Sequence, residues 1–135
     1  MTVRIVRLGT PRHRDEGTRI GTVRRPPRGV PKAEFASRDF YDVWFPNLSP
    51  TPELVKLALA SQSDLSAVGD KEWAAFTRGY RAEMARPDNA HAIALLATLS
   101  QQANFSVGCY CENEARCHRS ILRVLLRDAG ARLDE

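Results

Sequence analysis

The strongest constraint on the fold lies near the C-terminus. There the apolar run Phe105-Ser106-Val107-Gly108 passes through a short polar loop into an amphipathic run over residues 121–129. A strand that turns directly into a helix is a unit of layered α/β folds, because sheet face and helix stripe must each bury an apolar side. All three cysteines lie at that junction, in Cys109-Tyr110-Cys111-Glu112-Asn113-Glu114-Ala115-Arg116-Cys117-His118-Arg119.

The rest of the chain supplies the other layers. Residues 3–8 alternate apolar and basic side chains, as a half-buried or edge strand does. Residues 9–17 form a polar loop, and 19–24 a second strand weakened by its central Gly21. Arg25-Pro26-Pro27-Arg28-Gly29-Val30-Pro31 is a stiff arginine-bearing loop, since its prolines fix φ and lack donors. Pro31 starts a short turn of helix through Phe35. Residues 40–45 have the aromatic and β-branched content of a strand, closed by Pro46. Thr51-Pro52-Glu53 starts a helix that runs to about Ala60, and 61–69 is a connector. Asp70 caps a helix with Trp73, Phe76, Tyr80 and Met84 on one stripe, a core stripe rather than a cofactor box. Arg86-Pro87-Asp88 ends it, and 90–101 form another helix, packing through Ile93, Leu96 and Leu99. The last strand covers 105–111, with Asn113 capping a helix that ends near Gly130. With 135 residues the chain fits one core. The expected fold is a single α/β domain over residues 1–135, a small mostly parallel sheet packed by helices.

Composition narrows the function classes. No stretch of about 18 apolar residues occurs, so no membrane span is expected. The N-terminus lacks a signal peptide's apolar centre, so a cytoplasmic protein is expected. An odd number of cysteines does not suit a disulfide framework, leaving thiols, metal ligands or a redox pair. The net charge of +4 conceals a balance of +7 in residues 1–38 and −3 in the remainder. Seventeen of the twenty basic residues are arginine, whose planar fork suits carboxylate or phosphate.

In the cysteine-rich stretch, Cys117 falls near a helix N-terminus, where the backbone dipole favours a thiolate. Arg119, Arg123 and Arg127 share a stripe expected to face water. Cys117 and His118 are the candidate catalytic pair, a thiol with an adjacent base or acid. Arg25, Arg28, Arg119 and Cys109 are the candidate ligand-binding residues, with the proline-stiffened loop folding over the strand ends to meet a small, phosphate-bearing anion. Other readings stay open. Cys109, Cys111, Cys117 and His118 make a zinc donor set, although C-x-C-x5-C-H departs from paired knuckles. The cysteines also suit small buried apolar positions. A phosphatase-type loop from Cys111 to Arg116 is excluded by Glu112 and Glu114, which would repel an oxyanion. His13 and His91 sit among polar residues and are expected to be exposed. No metal and no cofactor is assigned.

Four segments resemble one known family. They are Arg19-Ile20-Gly21-Thr22-Val23-Arg24 with Pro27-Arg28-Gly29, Asp42-Val43-Trp44-Phe45-Pro46-Asn47-Leu48-Ser49-Pro50, the aromatic helix with Phe76 and Tyr80-Arg81-Ala82-Glu83, and Cys117-His118-Arg119. In this order they are similar to the family called domain of unknown function 488, or YeaO-like. Arg25-Pro26 stands where members often carry Leu-Trp or a similar pair. The resemblance implies a small α/β domain and a cytoplasmic bacterial or archaeal protein, and carries over no catalytic role. The leading expectation is an anion pocket with thiol-dependent chemistry. The alternative is a non-catalytic module whose basic face meets nucleic acid.

Overall fold

The computed structural model describes residues 1–63 and 67–134. Among them, strands β1 (Val3–Arg7), β2 (Thr18–Gly21), β3 (Val43–Trp44) and β4 (Phe105–Cys109) form one parallel sheet in the order β1-β4-β2-β3. Helices α1 (Pro52–Ser63), α2 (Ala67–Met84) and α3 (Pro87–Leu99) come between β3 and β4, and α4 (His118–Asp128) follows β4. The expected α/β class is therefore observed.

The last strand is inserted between the first two and is buried at every residue. Its sequence suits a position covered on both sides, with large Phe105 and Val107 alternating with small Ser106 and Gly108. Register places Ile5, Val107 and Ile20 in one row, and Arg4, Ser106 and Arg19 in the next. Adjacent rows face opposite sides of a sheet. The first row packs in the main core with Phe76 and Tyr80 of α2 and Leu122 and Leu126 of α4.

On the opposite side loops cover the sheet. A Cβ at Gly21 would lie 2.4 Å from the Tyr41 ring, and one at Gly108 would lie 2.7 Å from Leu8. These glycines pair in register. Gly21, central in the strand expected over 19–24 and the last residue of β2, is thus what lets Tyr41 lie against the sheet.

A buried ion pair closes this side. Arg19 Nε donates to Glu16 Oε2 at 2.6 Å and its Nη2 to Oε1 at 3.0 Å. Its Nη1 donates to the carbonyls of Thr10 and Asp39, at 2.9 and 2.7 Å. Ser106 Oγ of the central strand donates to Glu16 Oε2 at 2.6 Å. Both partners are almost fully enclosed, at 0% and 2% exposure. Burial pushes the Glu16 carboxyl up, but the hydrogen bonds from Arg19, Ser106 and the His13 backbone outweigh it and hold the group at about 2.

Several boundaries differ from the sequence expectation. The strand expected over 40–45 shrinks to Val43–Trp44, because Phe40 and Tyr41 pack over the sheet rather than joining it. The helix begun at Pro52 continues to Ser63, and α2 starts at Ala67, so Asp70 sits in its first turn rather than capping it. Of the expected connector, residues 64–66 lie outside the described residues. Pro87 opens α3 instead of only ending α2, as its fixed φ allows at a first helical position. The final strand stops at Cys109 rather than at 111. Asn113 caps a short 3-10 turn, Glu114–Arg116, and α4 begins at His118.

Arg19→Met should cost about 3–5 kcal/mol in urea denaturation, since it strands the Glu16 charge in the interior. The Glu16 carboxyl sits below its ordinary value of 4.5. Its contribution is therefore present above that value and lost as pH falls toward about 2. A Glu16→Gln chain should show a flatter acid limb in the same measurement.

Candidate functional site

The carboxyl end of β4 is the centre of the sheet's carboxyl edge, where open α/β sheets gather their binding groups. From Cys109 the chain passes through Tyr110 and Cys111 into the turn Glu114–Arg116, then reaches Cys117 in extended geometry, φ −123°, ψ 153°. Three helices hold this loop. Gln62 of α1 donates its amide to the Arg116 carbonyl at 3.0 Å, and Arg116 reaches Asp70 of α2. Arg123 of α4 grips Glu114 at 2.9 Å. Glu114 is thus committed to an arginine of the next helix.

Cys117 occupies the N-cap of α4 and is 1% exposed. Its sulfur makes no capping hydrogen bond, yet its surroundings favour the thiolate. Thiol hydrogen bonds from Cys109 and Cys111 are the main cause, and they outweigh burial. The backbone N–H and charge of Arg119 act in the same direction. Cys109 is pushed the other way by its thiol contacts with Cys111 and Cys117 and by burial. For Cys111 the contact with Cys109 lowers the thiol, but the contact with Cys117 and burial outweigh it and leave it raised.

His118 is buried, and its orientation is set by hydrogen-bond bookkeeping. Thr22 Oγ1 donates its only proton to the Gly108 carbonyl at 3.0 Å. It can therefore only accept from His118 Nε2, 3.2 Å away. That fixes the proton on Nε2 and leaves the Nδ1 lone pair facing Cys117 Sγ at 3.6 Å. Burial drives the imidazole down to about 4, so it is neutral at pH 7. The ring also leans on Tyr80 at 5.5 Å, the end of the stacked series Trp73, Phe76, Tyr80. The aromatic stripe is core, and through Tyr80 it also backs the site.

Cys109, Cys111, Cys117 and His118 line a cavity of ≈ 480 Å³, which Arg24, Arg25 and Lys56 also border. Its other walls are largely apolar, among them Val23, Val55, Leu59 and Phe76. The proline-stiffened loop does approach the strand end, where the Tyr110 hydroxyl donates to the Arg25 carbonyl at 2.8 Å. Arg28 is exposed and outside the cavity lining. Arg119 is not on a water-facing stripe. It is 3% exposed, its Nη2 donates to the Cys111 carbonyl, and it holds the cysteine loop from outside the cavity lining. Among the described residues its Nε finds no hydrogen-bond partner. A helical projection misplaces Arg119 because the residue sits in the first turn, where the preceding loop folds over it.

Sequence reasoning missed Thr22, Lys56 and Glu16. Thr22 carried a signal, a polar residue between Gly21 and Val23 in a strand-like run. Lys56 looked like any solvated helix lysine.

Cys109 Sγ, Cys117 Sγ and a ring nitrogen of His118 all lie within 4.8 Å of one another, a grouping able to hold a metal ion. The family model DUF488-N3a, described as the active DUF488-N3 subclade, matches residues 3–130. No curated protein and no solved structure matches the chain.

Thr22→Val should remove the hydroxyl 3.2 Å from His118 Nε2, leaving the ring only its contact with the residue-22 backbone, and cost about 0.5–1.5 kcal/mol in chemical denaturation. Thr22→Ser, which keeps the hydroxyl, should recover most of that loss.

Proposed function

The chain belongs to the DUF488 family, and we propose that the cavity at the start of α4 is the active site of a thiol-dependent enzyme acting on a small anionic, phosphate-bearing ligand. Cys117 is the nucleophile. His118, neutral at pH 7 and with Nδ1 3.6 Å from the sulfur, takes no proton from the thiolate and serves to position it against the ligand. Arg25 and Lys56, both exposed along the same cavity, attract the anionic group. The apolar walls receive the remainder of the ligand. The observation that carries this reading is the placement of a thiolate-favouring cysteine and a neutral histidine in one cavity wall beside two cationic side chains. The description of the matching subclade as active accords with it.

A metal centre is the second reading, favoured by the tight grouping of Cys109, Cys117 and His118. Zinc or another thiophilic ion there would tie up Cys117 as a ligand. Metal content after purification without added metal or chelator separates the two. A stoichiometric ion replaces the nucleophile reading.

The nucleic-acid alternative has less support. Arg4 pairs with Asp134, Arg12 with Asp42, Arg19 with Glu16, and Arg24 donates to the Ser49 and Pro50 carbonyls. Much of the N-terminal positive charge is therefore spent inside the fold.

Alkylation tests the site directly. The rate of Cys117 with iodoacetamide should stay flat from about pH 5 to pH 8, whereas an ordinary thiol of pKa about 8.5 gains roughly tenfold per pH unit. A rate that climbs in that ordinary way excludes the proposed nucleophile. With iodoacetate, an anion, Arg25→Ala and Lys56→Ala should each slow the reaction several-fold while leaving the iodoacetamide rate unchanged. Arg28→Ala should change neither.

A further inference from the structure

We propose that Cys111 is the resolving thiol of this site and that its substrates are small anionic compounds containing an S–S bond, which the two cysteines reduce through a Cys111–Cys117 disulfide. The proposal rests on Cys117 being the nucleophile and adds what happens after its attack.

Two placements distinguish Cys111 from Cys109. Cys109 is the last residue of the central strand, held in register with Arg7, and its carbonyl accepts from Leu8 N–H at 2.9 Å. Cys111 lies beyond the end of the ladder, in the loop, and is only half-buried. It packs against the cluster of buried side chains that contains Cys117. A thiol carried on loop backbone can swing onto a neighbouring sulfur without breaking sheet hydrogen bonds. Both sulfurs line the same cavity.

The rest of the cavity argues against a hydrolytic second step. An acyl or phosphoryl group on Cys117 would need water activated by a base. Among the described residues lining the cavity none is an aspartate or glutamate. The one histidine is held at Nε2 by Thr22, and its Nδ1 faces the sulfur itself. The group best placed to displace a substituent from Cys117 is a second thiol.

The chemistry balances in two exchanges. The Cys117 thiolate attacks one sulfur of R–S–S–R′, forming Cys117–S–S–R and releasing R′–S⁻. The Cys111 thiol then attacks Cys117 Sγ. The Cys117–S–R bond breaks, and R–S⁻ leaves with the Cys111 proton as R–SH. The substrate gains two electrons and the enzyme becomes a disulfide, which a dithiol reductant must return to the two thiols.

The test uses the full chain, reduced and freed of reductant, with one equivalent of the anionic aromatic disulfide dithiobis(nitrobenzoate). Wild-type protein should release two thionitrobenzoates, carry no adduct, and yield a tryptic cross-link between the peptide ending at Arg116 and that beginning at Cys117. Cys109→Ser alters a contact of Cys117 and so changes the reaction rate, but it should still release two thionitrobenzoates and form the same cross-link, assigning the link to Cys111. Cys111→Ser should stop at one thionitrobenzoate with a persistent adduct on Cys117. Full release by Cys111→Ser with a Cys109–Cys117 link overturns the assignment to Cys111. A stable adduct on wild-type Cys117 overturns the resolving step yet leaves the nucleophile standing. Failure of Cys117 to react first, or a Cys117→Ala chain that reacts at the wild-type rate, removes the nucleophile as well.

Discussion

The guanidinium of Arg19 is the contact on which much of this small sheet depends. It sits on β2 and is neutralised by Glu16 in the preceding loop. Its Nη1 donates to the carbonyls of Thr10 and Asp39, and its partner carboxylate takes a hydroxyl from Ser106 of the central strand. One side chain thereby ties together two loops and two strands on the side of the sheet that, among the described residues, no α-helix covers. A buried charge of this kind is costly unless every donor is met. Here four of the five N–H donors are met, at 2.6, 2.9, 2.7 and 3.0 Å. The cross-linking also explains part of the charge clustering near the N-terminus: several of those arginines are internal fasteners.

With that side closed by loops, the helices are free to pack on the other, and the central position of β4 determines where chemistry gathers. β4 ends in the middle of the sheet edge, so the chain leaving it is flanked by the loop after β2 and by the starts of α1 and α4. Thr22 from the first of these fixes the His118 tautomer, and α4 delivers Cys117. The site is made from segments almost a hundred residues apart in sequence, the Thr22–His118 contact spanning 96 positions. Its polarity is unusual for a pocket floor: three sulfurs and a neutral imidazole among apolar walls, with cations only at exposed positions.

What could be read in advance followed from local rules. The α/β class came from strand-like periodicity early, helix-like periodicity in the middle and a strand with a closing helix at the end, and the aromatic stripe of α2 was a helix face seeking a core. The site was located by the clustering of Cys109, Cys111, Cys117 and His118 in a strand–loop–helix junction. Boundaries failed where tertiary packing overrode propensity: residues 40 and 41 have strand composition but cap the sheet as side chains. Arg119 failed for a related reason, since a projection knows the helix axis but not the loop that folds over its first turn. Arg28 and Arg25 are equivalent in sequence, and only the path of the proline-rich loop separates one at the cavity from one outside it.

By itself, the sequence determined the class of fold, the stretch that holds the reactive groups and the preference of Cys117 for a helix start, because each depends on spacing along the chain. Only the tertiary structure decided that Cys109 and Cys111 surround that sulfur, that Thr22 assigns the proton on His118, that Arg119 faces inward and that Lys56 joins Arg25. Those are contacts between distant segments, set by where β4 inserts into the sheet and how the loops close over its end. No local periodicity encodes them.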